Sequence, residues 1–135
     1  MALHGLRAIL LSVMVCMSAC NRDSVDDRFW RQCRDYTRKY CPLRMDEYTM
    51  LDSLVYVREE RCMNYYYLLE DSNVTDARQR VRLKEFLEGR LLSDLKNNTA
   101  FRELREKDIS FRYHYRSSSG KEEVMMMEFG PNDYK

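Results

Sequence analysis

The sequence is poor in the residues that break a chain into loops. It has four glycines and two prolines in 135 residues, so long flexible linkers and low-complexity tracts are excluded. It also lacks a surplus of either charge: 23 Lys and Arg stand against 22 Asp and Glu, a formal net charge of +1. A near-neutral chain does not collect phosphates by counterion release, which excludes nucleic acid as a partner, and it does not adhere to anionic lipid through a polybasic patch. Histidine occurs twice, at His4 and His114. It is the usual general base and metal ligand near neutral pH, so acid–base and metal chemistry have little to start from. No apolar run is long enough to span a bilayer. That takes about 20 residues, and the uncharged stretch from Ala8 to Ala19 is shorter.

What is present at the N-terminus is a different kind of signal. Arg7 precedes an apolar stretch from Ala8 to Val15, and Ser18 and Ala19 then lead into Cys20. A basic flank, a short apolar core and small residues before a break mark a secretion signal. An ordinary signal peptidase prefers small residues at −1 and −3, and here −3 is Met17. The stretch MSAC, Met17 to Cys20, resembles the bacterial lipobox, with Met17 where leucine is more usual. The resemblance implies that residues 1–19 are removed and that Cys20 receives lipid on its sulfur and its freed amine. Several acyl chains anchor stably where one alone is marginal. Asn21, rather than aspartate, follows Cys20, which by resemblance to enterobacterial sorting permits outer-membrane delivery. Residues 20–25 then read as a lipidated tether and 26–135 as a single domain, because about a hundred residues suffice for one core and not for two.

The domain divides by periodicity. Phe29, Cys33, Tyr36 and Tyr40 recur at helical spacing from Asp26 to about Tyr40, with Ser24 as the expected cap and Pro42 as the stop. Met50 to Val57 and Cys62 to Leu69 are rich in β-branched and aromatic residues and read as a hairpin. A helix is expected from about Thr75 to Lys96, capped by Asn73 or Thr75. Its stripe of Val74, Ala77, Val81, Leu83, Phe86, Leu87, Leu91 and Leu95 is broad enough to face a core. A short helical turn follows over Thr99 to Glu106. Ile109, Phe111, Tyr113 and Tyr115 then alternate with Ser110, Arg112, His114 and Arg116, the pattern of a half-buried strand. A turn at Ser117 to Gly120 returns the chain along Lys121 to Phe129. The order is α-β-β-α-β-β. The fold class is α+β, and the expected architecture is a four-stranded antiparallel sheet with helices packed on one face.

The block CPLRMDEYTMLD, residues 41–52, together with Tyr65 and Tyr67, Tyr113 and Tyr115, Gly120, and Pro131 followed by Tyr134, resembles an uncharacterised family of small bacterial envelope lipoproteins. The resemblance spans about residues 40–135 and imports no chemistry.

Each candidate site also has a structural reading. Besides Cys16 in the signal and Cys20, the cysteines are Cys33, Cys41 and Cys62. An oxidising envelope favours a disulfide, and three thiols leave one unpaired. Cys33 and Cys41 on one continuous helix would lie about 12 Å apart, too far for a bridge. Cys33 with Cys62 is therefore the expected pair and Cys41 with Cys62 the alternative. The spacing contains no zinc knuckle, so no metal or other cofactor is expected. Asp46, Glu47, Asp52, Glu59 and Glu60 supply carboxylates, and Asp46, Thr49 and Asp52 read better as turn fixers than as a glycosidase pair. Arg112, His114 and Arg116 share one strand face, beside Arg58 and Arg61 if the strands neighbour. They could contact anions of the envelope, against the plainer reading of pairing with Glu122, Glu123 and Glu128. The expected function is a non-enzymatic envelope lipoprotein, held to the membrane by its N-terminal lipid and contacting an envelope protein partner. The alternative is a small-ligand or inhibitor module using an aromatic-rich sheet face.

Overall fold

A computed structural model describes residues 25–71 and 76–135. The signal segment, Cys20, the tether up to residue 24, and the expected helix caps Ser24, Asn73 and Thr75 lie outside the described residues.

Helix α1 covers residues 25–40 and stops where the sequence places Pro42. It enters the core through Phe29 and Cys33, each 3% exposed, while Tyr40 at its end lies out on the surface. A two-residue strand β1 (Leu43–Arg44) follows, then β2 (Thr49–Val57) and β3 (Cys62–Leu69). Helix α2 (Ala77–Asn97) is started by Asp76, whose carboxylate accepts the Arg78 N–H at 3.0 Å. A 3₁₀ turn (Thr99–Phe101) and the short α3 (Arg102–Glu106) lead to β4 (Ser110–Ser117), β5 (Glu123–Phe129) and a terminal turn of helix α4 (Pro131–Tyr134).

The α+β class stands, and the sheet differs from the expected four antiparallel strands. It has five, in the order β1-β2-β3-β4-β5, and β3 pairs with β4 in parallel. The cause is the length of α2. Twenty-one helical residues span about 31 Å, and the eight residues of β3 about 27 Å. The helix therefore carries the chain back along the whole sheet, and β4 sets off in the same direction as β3. β1 is the fifth strand, pairing Leu43 with Leu51 and Arg44 with Met50.

Period-two alternation decides the faces. Tyr56, Met63, Phe111, Tyr113, Tyr115, Met125, Met127 and Phe129 form one buried cluster with Phe29 and Cys33 of α1, Leu95 of α2, and Tyr134 of α4. The parallel register sets Tyr65 against Tyr113 and Tyr67 against Tyr115, so these rings stack in pairs at 4.9 and 5.0 Å between centroids. The free edge of β2 is closed by α1: the Thr37 hydroxyl donates to the Leu54 carbonyl at 3.0 Å and accepts the Leu54 N–H at 2.9 Å. That blunts an edge that would otherwise pair with another chain.

The sheet has two distinct ends. At the proximal end α1 begins, and Asp26 accepts the Tyr56 hydroxyl at 2.7 Å and pairs with Arg61 at 3.4 Å. The distal end holds the β1–β2 turn, the end of β3 and the start of α2.

Candidate functional site

Helix α2 is fastened at its C-terminal end and stands clear at the other. Leu95 is fully buried, and the Arg105 guanidinium donates to the Leu95 carbonyl at 2.6 Å and the Asn98 carbonyl at 2.9 Å. Toward the distal end Val81 is 59% exposed and Phe86 62% exposed. The broad core stripe expected of this helix is thus only partly used: Leu83, Leu87 and Leu91 pack partly against the core, and Val81 and Phe86 do not.

Between α2 and the β1–β2 turn lies a groove of about 520 Å³. Tyr67, Leu69 and Tyr115 form its floor, Leu83, Phe86 and Leu87 one wall, and Met45 and Tyr48 the other. The second wall is held in place by its own hydrogen bonds. Asp46 accepts the Tyr48 N–H at 2.8 Å, the Thr49 carbonyl accepts the Met45 N–H at 2.9 Å, and the Tyr48 carbonyl accepts the Glu70 N–H at 3.1 Å. Asp46 is thus a turn fixer, as its sequence context indicates.

The groove is mixed in character: beside its apolar and aromatic side chains it is lined by Asp46, Thr49, Gln79 and Arg90, one carboxylate and one cation among them. Burial pushes the Tyr67 hydroxyl up to about 12. Burial also raises Tyr115, with Tyr67 and Asp46 adding to the effect and the Arg90 cation opposing it. Both rings therefore stay neutral and able to donate at physiological pH. Among the described residues, neither hydroxyl has a hydrogen-bond partner, unlike those of Tyr56 and Tyr134.

The opposite face of the sheet carries the predicted anion stripe, and the fold does bring Arg112, His114 and Arg116 together on β4. Each already has company. Arg112 pairs with Glu60 and, at 3.3 Å, with Glu128. His114 lies between Asn64 Oδ1 at 2.9 Å and Glu123 Oε1 at 2.6 Å. Arg116 sits over the Tyr66 ring at 4.6 Å, and Tyr66 stacks on His114. Arg58 and Arg61 do not join this stripe. They turn toward α1, where Arg58 pairs with Asp27 at 2.6 Å and Arg61 with Asp26, because β3 and not β2 is the neighbour of β4.

Residues 24–126 match the sequence pattern of DUF8479, a domain of unknown function. The chain belongs to the DUF8479 family. No curated protein matches this DUF8479 chain in sequence. Its fold is shared with solved structures. A candidate secreted protein from Pseudomonas aeruginosa is similar with a TM-score of 0.63 at 13% identity, over 82% of this chain and 96% of that one. The pilotin EpsS of the Vibrio vulnificus type 2 secretion system is similar with a TM-score of 0.60 at 7% identity, over 84% and 94%. The pilotin AspS of the Vibrio cholerae type II secretion system is similar with a TM-score of 0.56 at 10% identity, over 86% and 97%. At such identities the likeness is one of fold.

In this family member Cys33, Cys41 and Cys62 are free thiols, and the expected Cys33–Cys62 bridge is not formed. The Cys33 thiol meets the Met63 sulfur at 3.1 Å on the helical side of β3. Cys62, one residue earlier, points to the other face by alternation, so the sheet stands between the two sulfurs. The alternative, Cys41 with Cys62, is not formed either. Cys41 closes the last turn of α1, its N–H donating to the Thr37 carbonyl at 3.1 Å. Burial pushes the Cys33 thiol up to about 12 and the Cys62 thiol up to about 11. Sequence reasoning missed the groove. Its one available signal was the excess width of the α2 stripe, which exceeds what a single sheet face can cover.

Proposed function

We propose that this DUF8479 chain is a lipid-anchored, non-catalytic protein of the bacterial envelope that holds a second envelope protein. The observation that carries the reading is the fold shared over nearly the full length of two secretion-system pilotins, together with a groove at the end of the sheet away from residue 25. Such a polarity suits a module tied down at one end and open at the other. The lipobox-like MSAC and the acceptor Cys20 supply the tie. Non-catalytic character is supported by the side chains that chemistry would need. The Cys33 and Cys62 thiols are buried and protonated at neutral pH, so neither is an activated nucleophile. His114 is held by Asn64 and Glu123 rather than by a thiol.

A second reading, a small-ligand module, is favoured by one observation: the groove volume of about 520 Å³ falls within the range of small-molecule pockets. The long open side and the exposed lip at Phe86 and Tyr48 suit a polypeptide better. Intact-mass spectrometry of the protein purified from membranes tests the anchor. The expected species begins at Cys20 and carries acyl chains, and a fat-free species released from the membrane overturns it. Co-purification after detergent extraction tests the rest. A stable complex with one envelope protein is expected, and recovery of the chain alone with a bound small molecule transfers the case to the second reading.

A further inference from the structure

We infer that the outer side of α1 lies on the phospholipid bilayer that holds the acyl chains of Cys20, with Trp30 seated at headgroup level and Arg31, Arg34, Arg38 and Arg58 against lipid phosphates. The inference rests on the lipid anchor of the proposed function and adds the face that meets the membrane.

Trp30 is the one tryptophan of the sequence. It is 36% exposed on the second turn of α1, where Phe29 and Cys33 take the core. It lines a cleft of about 270 Å³ beside the edge of β2, together with Arg34, Thr37, Arg38 and Val55, and Val55 is itself 40% exposed. The guanidiniums of Arg58 and Arg34 lie over the indole ring at 4.5 and 5.0 Å. The ring is not part of the buried core cluster. An indole, apolar in body with a polar N–H, gathers where one side is apolar and the other wet, as at a membrane–water interface.

The charge around Trp30 suits the same surface. At 3.6 residues per turn Trp30, Arg34, Arg38 and Arg31 fall within an arc of about 100° on α1. Asp27 and Asp35 lie on or beside this arc, and each is already paired, Asp27 with Arg58 at 2.6 Å and Asp35 with Arg34 at 3.0 Å. Arg31 and Arg38 are exposed and enter no ion pair among the described residues. Four arginines thus stand against two aspartates, a local surplus of positive charge on a near-neutral chain. A planar guanidinium matches a phosphate bidentately. The acyl chains supply the attachment, and this patch sets the orientation.

The length of chain before α1 selects the bilayer as the occupant. In the processed chain the five residues from Cys20 to residue 24 reach at most about 18 Å. Trp30 follows Val25 by five residues, about 7.5 Å of helix rise, whereas the exposed rings of Phe86 and Tyr48 lie a sheet length further off, about 23 Å. The Asp27–Arg58 and Asp26–Arg61 pairs fasten the start of α1 to the turn between β2 and β3, so this corner stays beside the anchor as one piece. A short tether holds such a contact at an effective concentration in the millimolar range, which populates even a weak one. A second copy would set arginines against arginines, and like charges oppose that.

Trp30 is its own reporter. The full chain, purified from membranes, is reconstituted into vesicles of phosphatidylethanolamine and phosphatidylglycerol, with or without a lipid that carries a nitroxide on its headgroup. Trp30 fluorescence is expected to be quenched by the nitroxide lipid and shielded from acrylamide in the water. The control combines Trp30→Phe with Phe86→Trp, which moves the one indole to the distal end. There the nitroxide should have no effect and acrylamide should quench freely. Arg31→Glu combined with Arg38→Glu, at two exposed positions without ion pairs, should lower the nitroxide quenching of Trp30 at least about twofold, with the circular dichroism unchanged. Trp30 fluorescence as open to acrylamide as that of the control, and untouched by the nitroxide, overturns the inference, as does quenching that the double arginine variant leaves unaltered. Vesicle flotation and intact mass of the same sample report the anchor independently. Acylated protein that floats with its indole unquenched overturns the inference alone and leaves the envelope reading standing, whereas a fat-free species that stays behind overturns both.

Discussion

At the proximal end of the sheet Tyr56 gives its hydroxyl to Asp26 at 2.7 Å, and Tyr134 gives its own to the Ile109 carbonyl at 2.8 Å. At the distal end Tyr67 and Tyr115 stack at 5.0 Å, and their hydroxyls find no partner among the described residues. The rings differ in the same way. Phe29 meets Tyr56 edge-on at 5.5 Å, and Phe111 meets both Phe101 and Tyr134 edge-on within 5.9 Å. Phe86 and Tyr48 at the distal end stand largely in solvent. The same residue types thus hold the chain together at one end and remain available at the other. Stability is concentrated where α1, α2 and α4 converge on the sheet, and the free apolar surface is kept where α2 lifts off it.

The sharpest way to break this comparison is to remove an aromatic ring from the proximal end. Phe111 is fully buried and lies between Phe101 and Tyr134. Phe111→Ala should cost about 3–5 kcal/mol, the range for a large ring deleted from a closed core. Denaturant unfolding followed by circular dichroism reads it. A cost below about 1 kcal/mol would show that the proximal end is no better packed than the groove.

Alkaline pH tests the same core through its thiols. Cys33 and Cys62 are 3% and 1% exposed, and burial raises them from 9.0 to about 12 and to about 11. Above pH 9 the unfolded chain releases these protons and the folded chain keeps them, so the unfolded state binds fewer and stability falls as pH rises. The contribution is whole below pH 9 and is lost progressively up to about pH 11 for Cys62 and pH 12 for Cys33. The slope is about 1.4 kcal/mol per pH unit for each thiol. Cys33→Ala should remove one share of that slope. Unfolding free energies that stay level from pH 9 to 11 would contradict the burial of these groups.

A smaller effect is expected where only a hydroxyl is removed. Tyr134→Phe leaves the Ile109 carbonyl without its donor, at a cost of about 1–2 kcal/mol. The matching Tyr115→Phe at the distal end should cost less, since no partner is orphaned. The difference between the two unfolding free energies is the measurement. Equal costs would erase the distinction drawn between the ends.

Much of the proximal architecture was legible in the sequence because local rules govern it. Helical spacing placed Phe29 and Cys33 on one face, and Pro42 set the end of α1. Alternation separated Phe111, Tyr113 and Tyr115 from Arg112, His114 and Arg116. The hairpin from Met50 to Leu69 lies one residue from the observed bounds of β2 and β3. What was not legible depends on distances between elements. The parallel pairing of β3 with β4 follows from α2 spanning the sheet, which no local pattern records. β1 is too short, at two residues, to carry a period. The width of the α2 stripe pointed to burial for Val81 and Phe86, and only their position past the edge of the core keeps them exposed. The carboxylate partners of the arginine stripe were half visible. Glu128 and Glu123 could be read from the next strand, whereas Glu60 arrives from a turn fifty residues away.

The smallest expected effect is the one that isolates the distal end. Phe86 is 62% exposed, so its ring contributes little to folding, and Phe86→Gln should move the unfolding free energy by no more than about 0.5 kcal/mol. The polar amide nevertheless removes the apolar lip of the groove, where an aromatic anchor would carry much of any binding energy. Folding and binding should therefore separate in this one variant: unchanged denaturation alongside a complex weakened at least about tenfold. Were Phe86→Gln instead to destabilise the chain by 2 kcal/mol or more, the ring would belong to the core in solution. The groove would then be closed, and both ends of the sheet would serve the fold alone.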